Sequence, residues 1–277
     1  MTAQRNMRRL AAAFGLLSWA LNPVQAADHP EPVPQATVAI IIDDLGNHRA
    51  LGRKAVALPG AVTYSVLPMR PFSADVAQRA RAGGKEVMLH LPMQTSDGRR
   101  MGPGGLTLAM DRAEFSRAVR AGLASVPHVS GVNNHMGSLL TRHPGAMRWL
   151  MEDLSCYDRL YFVDSRTDVR TVAQRYAREA GLASARRDVF LDNRQEGDYI
   201  RTQLRELVRT AKQRGTAIGI GHPYPETLAV LAEEIPRLAE QGIQLVPVSR
   251  LVEKERNEGL WHASSSPLPT VAKNSRR

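Results

Sequence analysis

From about residue 36 to residue 255 the chain alternates between two hydrophobic periods. Short apolar runs of strand length recur at Val38–Ile42, Val62–Leu67, Glu86–Leu89, Val129–Asn133, Leu160–Val163, Asp188–Leu191, Ala217–Ile220 and Gln244–Val248. Between them, apolar positions three and four apart read as amphipathic helices with recognisable ends. Ser73 can cap a helix that stops at Gly83-Gly84, and Asp111 with Glu114 has the spacing of a capping box. Pro144 and Pro225 suit the first turn of a helix, whereas Gly181, Gly215 and Gly242 suit a left-handed C-cap that leads into the next strand. Strand and helix in regular alternation predict an α/β fold, a largely parallel sheet wrapped by helices. Gly102-Pro103-Gly104-Gly105 reads as a loop and not as a phosphate cradle, because no strand directly precedes it.

The segment before this alternation follows a different logic. Arg5, Arg8 and Arg9 precede an apolar stretch from Leu10 to Leu21 and a small-residue end, Val24-Gln25-Ala26-Ala27. That order reads as an export signal over residues 1–26, with an apolar part too short for a membrane span. Residues 27–35, with Pro30, Pro32 and Pro34, read as a stiff linker, and residues 256–277 as a polar, disordered tail. A composition of 43% hydrophobic and 23% charged residues rules out collagen-like and largely disordered classes. The formal charge of +10 invites a nucleic-acid partner, but removing residues 1–26 lowers it to +7 and places the chain outside the cytoplasm. A periplasmic location is therefore expected, with anionic envelope surfaces and cell-wall polymers as the accessible acids and no role for nucleic acid. Cys156 is the single cysteine, so no intramolecular disulfide can form, and it reads as a small buried hydrophobe on a helix.

In parallel α/β folds the functional groups gather at the carboxyl ends of the strands. Those ends are unusually polar here: Asp43-Asp44 after the first run, His90 after the third, Asn134-His135 after the fourth, Asp164 after the fifth and His222 after the seventh. The remaining histidines, His29, His48, His128, His143 and His262, fall in linker, helix or loop contexts. A buried strand ends in two acids only where they are paired, hydrogen-bonded or bound to a cation. Alternation sends Asp43 and Asp44 in different directions, so one can ligate a metal while the other orients or deprotonates a water; an N-cap with an arginine pair is the competing reading. Asp44, His90 and His135 together make a carboxylate and two imidazoles, a set that suits a catalytic zinc site with a fourth position open. Taken singly, His90 also reads as a satisfied core histidine and His135 as a structural loop residue, with Asn134 beside it able to fix an imidazole tautomer. His222, in Gly221-His222-Pro223, reads either as an acid placed to protonate a leaving group or as a helix-capping or structural histidine, and Asp43 can act as base. Asp164 can orient an imidazole or hold substrate, and Arg166 can pair with a carboxylate; an Asp–Arg structural pair is equally compatible.

At these residues the chain resembles the divergent polysaccharide deacetylases, an outlying branch of the carbohydrate esterase superfamily. Asp43-Asp44-Leu45-Gly46 is similar to that superfamily's Thr-Phe-Asp-Asp-Gly strand end, and Gly84-Lys85-Glu86-Val87-Met88-Leu89-His90 to its Gly-x-Glu-Ile-Gly-x-His segment. Gly131 to Ser138 and Gly221-His222-Pro223 complete the branch's pattern. The resemblance implies an irregular (β/α) barrel of seven or eight mostly parallel strands over residues 36–255. It also implies metal-dependent removal of N-acetyl groups from amino-sugar polymers. There are two departures: Gln94 stands where the common motif has a second metal-binding histidine, so that role passes to His135, and the common Arg-Pro-Pro-Tyr segment is absent. A non-catalytic envelope module that binds glycan or protein on the same fold is the alternative these departures leave open.

Overall fold

A computed structural model describes residues 36–264; the expected export signal and linker lie outside the described residues, as do residues 265–277 of the tail. The elements alternate as expected. Strands β1 (Ala36–Leu45), β2 (Thr63–Val66), β3 (Glu86–Met93), β4 (Val129–Met136), β5 (Tyr161–Asp164), β6 (Ala183–Arg186), β7 (Val189–Phe190), β8 (Thr216–Gly221) and β9 (Ile243–Leu245) all pair in parallel. Helices α1 (Arg49–Val56), α2 (Ser73–Ala82), α3 (Arg112–Ser125), α4 (Pro144–Ser155), α5 (Ala173–Glu179), α6 (Gly197–Arg214), α7 (Pro225–Glu234) and α8 (Val248–Ser264) connect or flank them.

The hydrogen-bonded order β6-β5-β4-β3-β2-β1-β8-β7 curls the sheet into an irregular barrel, with β9 attached to β1. The barrel stays open between β6 and β7, which follow each other in the chain with only Arg187 and Asp188 between them. Period-two alternation gives each strand an outer and an inner face. Outward residues such as Ile40, Ile42, Leu89, Leu91, Val132 and Phe162 join Val76, Phe115, Val119, Leu150 and Leu207 of the helices in the main core. Each such fully buried side chain contributes roughly 1.5–3 kcal/mol of transfer free energy. Inward residues form a second, smaller cluster of Ala39, Ile41, Met88, Tyr161, Val163, Ile218 and Ile220, packed with Val248, Leu251 and Val252 of α8.

Several local expectations hold. Asp111 and Glu114 form a reciprocal capping box, Pro144 and Pro225 open α4 and α7, and Gly181, Gly215 and Gly242 take positive φ. Others are corrected. Ser73 is already inside α2, and its hydroxyl donates to the Leu67 carbonyl at 2.5 Å and accepts the Arg70 N–H at 3.1 Å, bracing the turn before the helix. Cys156 is exposed at the end of α4, because the buried stripe of that helix is Ala146, Met147, Leu150, Met151 and Leu154 and position 156 falls off it. Strand β6, Ala-Ser-Ala-Arg, has no β-branched or aromatic residue to signal it and exists through its ladder to β5. Pro247 has no N–H to extend β9, and Val248 opens α8, whose helix runs past residue 255 to Ser264.

Gly131 is the tightest point of the inner face, since a Cβ there would lie 2.4 Å from the ring of Tyr161 on the neighbouring strand. Gly131→Ala is expected to lower stability by about 1–3 kcal/mol, the usual cost of overpacking, measured by urea denaturation. An unchanged midpoint would contradict this packing.

Candidate functional site

The same alternation that builds the inner cluster builds the site above it. Along the inner face Ala39 and Ile41 lead to Asp43, Met88 to His90, Gly131 to Asn133 and His135, and Ile218 and Ile220 to His222. One face is thus apolar at the bottom of the barrel and polar at its carboxyl end. Asp44 would leave this face if β1 stayed regular. Its register against β2 shifts between Ile42 and Leu45, and Asp44 has φ +58°, so the bulge turns its carboxylate inward beside that of Asp43. The expectation that the two acids diverge is therefore corrected. Met136 and Arg166, at the ends of β4 and β5, also hold positive φ, and non-glycine residues in that region gather where a site demands them.

Asp44, His90 and His135 meet as expected. Asp44 Oδ1 lies 2.9 Å from His135 Nδ1 and 3.2 Å from His90 Nε2, and the two ring nitrogens are 3.2 Å apart. Ligand atoms on a tetrahedral zinc, with bonds of about 2.0–2.1 Å, stand about 3.3 Å from one another, so the spacing matches a shared cation. Asp44 Oδ1 is buried and accepts no aligned hydrogen bond despite those neighbours, as suits a donor atom directed at an ion. The three residues therefore fit a divalent metal.

Proton positions follow from the partners. The Asp43 carboxylate can only accept, so the Asn133 amide nitrogen faces Asp43 Oδ1 at 2.9 Å and its oxygen faces His90 Nδ1 at 2.8 Å. The Asn133 oxygen also accepts the Ser65 hydroxyl at 2.6 Å. His90 consequently carries its proton on Nδ1 and presents the Nε2 lone pair to the centre. Asn133, fully buried, is the residue sequence reasoning missed in favour of its neighbour. Asn134 instead accepts the Ser165 N–H at 2.8 Å and donates to the Met136 carbonyl at 2.8 Å, tying the end of β4 to the loop after β5. Period two was the available signal, because Asn133 shares the face of His135 and Asn134 does not.

His222 also has an orienting partner that was missed. Its Nδ1 lies 2.9 Å from Asp192 Oδ1, while Asp192 Oδ2 accepts the His222 N–H and the Thr227 hydroxyl. His222 Nε2 then faces the centre, 3.8 Å from Asp44 Oδ2. Asp164, expected to orient an imidazole or hold substrate, orients no imidazole: it accepts the Arg166 N–H, the Thr171 hydroxyl and the Gln174 N–H, shaping the loop after β5. Nor do Asp164 and Arg166 form an ion pair; the Arg166 side chain lines the cleft. Gln94 lies off the centre and accepts the Leu108 N–H at 2.8 Å, pinning the loop before α3.

Electrostatics divides the titratable groups. Burial raises the Asp44 carboxyl, but His135 and His90 overcome it and hold the group well below the usual carboxylate range. Burial lowers His135 and keeps it neutral. Burial also opposes the charged form of His90, yet Asp43 and Asp44 prevail and raise it. For His222, burial is outweighed by the hydrogen bond and charge of Asp192, with Asp44 and Asp43 behind them, and the imidazole is pushed up to about 9. The centre opens into a cleft of about 850 Å³.

Comparison with known proteins gives this geometry a context. A protein of Haemophilus influenzae is 36% identical over 222 residues, covering 80% of this chain and 79% of its own. Escherichia coli YibQ is 36% identical over 240 residues, covering 87% and 73%. A crystal structure of a protein from Agrobacterium tumefaciens superposes with a TM-score of 0.75 at 25% identity, over 78% of this chain and 89% of that one. The model of the family described as divergent polysaccharide deacetylase matches residues 40–252, which include all the strand ends that form the centre, and the chain belongs to that family.

Proposed function

We propose that the protein is an exported, zinc-dependent hydrolase that removes acetyl groups from N-acetylated amino-sugar polymers of the cell envelope. The observation that carries this reading is the convergence of Asp44 Oδ1, His90 Nε2 and His135 Nδ1 on one point within reach of His222, at the floor of an open cleft. Two imidazoles and a carboxylate suit zinc, and a cation there supplies Lewis-acid polarisation of an amide carbonyl and acidifies water. Asp43 keeps Oδ1 on Asn133 and leaves Oδ2 facing the centre, 3.6 Å from His90 Nε2. That oxygen takes a proton from the attacking water as the water adds to the acetyl carbon. His222, held as an imidazolium by Asp192, gives its proton to the sugar nitrogen as the carbon–nitrogen bond breaks, releasing acetate and a free amine. Family membership supports an acetylated polysaccharide as substrate, and the basic, apolar, small-residue order of residues 1–26 supports export.

Metal analysis after chelator-free purification, followed by acetate release from chitooligosaccharides and peptidoglycan fragments, tests the reading. One zinc per chain and acetate release are expected, both lost in Asp44→Ala. Zinc without acetate from any glycan would mark a binding module instead, and absence of metal would overturn the centre itself.

Asn133→Ala is expected to weaken zinc binding by about 10–100-fold through the freed His90 ring, whereas Asn134→Ala leaves zinc affinity unchanged. Competition with a fluorescent chelator measures both, and equal effects would refute the assignment.

The pH dependence follows from the protonation states. Zinc requires neutral His90, whose folded state favours the proton, so affinity should fall as pH drops through neutrality and into the acid range. The acid, His222, must be protonated, so turnover should fall on the alkaline side, at or below about pH 9 because a nearby dication disfavours imidazolium. His222→Gln should cost roughly 10²–10⁴-fold in kcat and remove the alkaline limb of the kcat profile; a retained limb would exclude His222 as the acid.

A further inference from the structure

The cleft wall beside the centre carries two arginines, Arg166 and Arg187, that form no ion pair among the described residues. At the open seam of the barrel, Arg187 donates Nε to the Ser165 carbonyl at 2.7 Å and Nη2 to the Arg166 carbonyl at 2.9 Å. Both acceptors are neutral, and among the described residues no carboxylate lies within ion-pairing distance of Arg187 or of Arg166, whose side chain makes no hydrogen bond. The acids of this wall are already engaged: Asp188 pairs with Arg214 at 3.1 Å and accepts the Ile218 N–H, and Glu206 pairs with Arg209. Arg187 is half-buried, and burial together with the charge of Arg166 depresses its proton affinity against the more distant charges of Asp43, Asp164 and Asp188, none of which forms an ion pair with it. Its position is fixed relative to the chemistry. The guanidinium carbon lies 5.0 Å from the Phe190 ring centroid, and that ring is 5.3 Å from the ring of His222. Holding two like charges on one wall is unfavourable unless something bridges them, and a guanidinium fork matches an oxyanion best.

We propose that the cleft selects an anionic glycan, with Arg166 and Arg187 receiving a carboxylate or phosphate carried by the sugar chain, across Phe190 from His222. This rests on the deacetylase reading for the orientation of the substrate, and not for the existence of the anion site.

Calorimetric binding and acetate release, measured side by side on the zinc-loaded protein, separate the two. The probes are two length-matched pairs: neutral chitotetraose with a peptidoglycan tetrasaccharide bearing lactyl carboxylates, and neutral N-acetylglucosamine with N-acetylglucosamine 1-phosphate. One of the anionic probes should bind about tenfold or more tightly than a neutral sugar of the same length, the worth of one charge-assisted contact, and which one identifies the group. The preference should shrink as sodium chloride is raised and approach unity in Arg166→Gln. Arg187→Gln should do the same, but it also frees two carbonyls, so if its Tm falls the Arg166 variant alone decides. Equal binding of neutral and anionic probes, or a preference that survives Arg166→Gln, would overturn the proposal. Equal acetate release from neutral and anionic glycans would remove the anion site and keep the hydrolase. An arginine-dependent preference with no acetate from any glycan would do the reverse.

Discussion

Asp43 and Asp44 end a strand that is buried on both faces, and two carboxylates so placed need donors or cations around them, since an unpaired buried ion costs several kcal/mol. Much of the upper barrel answers that requirement. Asn133 supplies Asp43 with an amide donor and passes the constraint to His90 through its own oxygen. His90 and His135 face Asp44, and the bulge before Leu45 brings Asp44 into the same space instead of sending it to the outer core. Asp192 plays for His222 the part that Asn133 plays for His90, fixing which nitrogen faces the centre. The Asp43 carboxylate acting through the Asn133 amide, and the Asp192 carboxylate directly, therefore set the ring protons of His90 and His222.

The barrel makes this affordable by splitting its inner face. Below the site, Ile41, Met88, Tyr161 and Ile220 pack on α8, and above it the centre opens to the cleft. At the seam, where β6 and β7 do not pair, the wall is polar and rich in arginine. The proposed hydrolytic centre and the proposed anion site thus occupy adjacent parts of one opening.

Most of the fold and the centre was legible in the sequence, because the apolar runs of β1, β3, β4 and β8 are each interrupted or followed by polar residues toward the carboxyl end. Asp44, His90, His135 and His222 could be picked out as departures from an apolar background. What escaped was of two kinds. Asn133 and Asp192 are ordinary polar residues whose importance lies in what they touch, and nothing local separates Asn133 from Asn134 except the pleat of the strand. Asp164 looked like a site residue for the reason Asp43 did, yet its carboxylate is consumed by the Arg166, Thr171 and Gln174 donors of its own loop. Strand ends identify candidates; only the partners decide which face inward to chemistry and which hold the turn.

The direct measurement of the centre is X-ray absorption at the zinc edge of the loaded protein, compared with that of His135→Ala. Two imidazole nitrogens and a carboxylate oxygen at about 2.0–2.2 Å are expected, with one imidazole lost in the variant. A shell with a single imidazole in the unaltered protein, or one unchanged by His135→Ala, would contradict the centre described here.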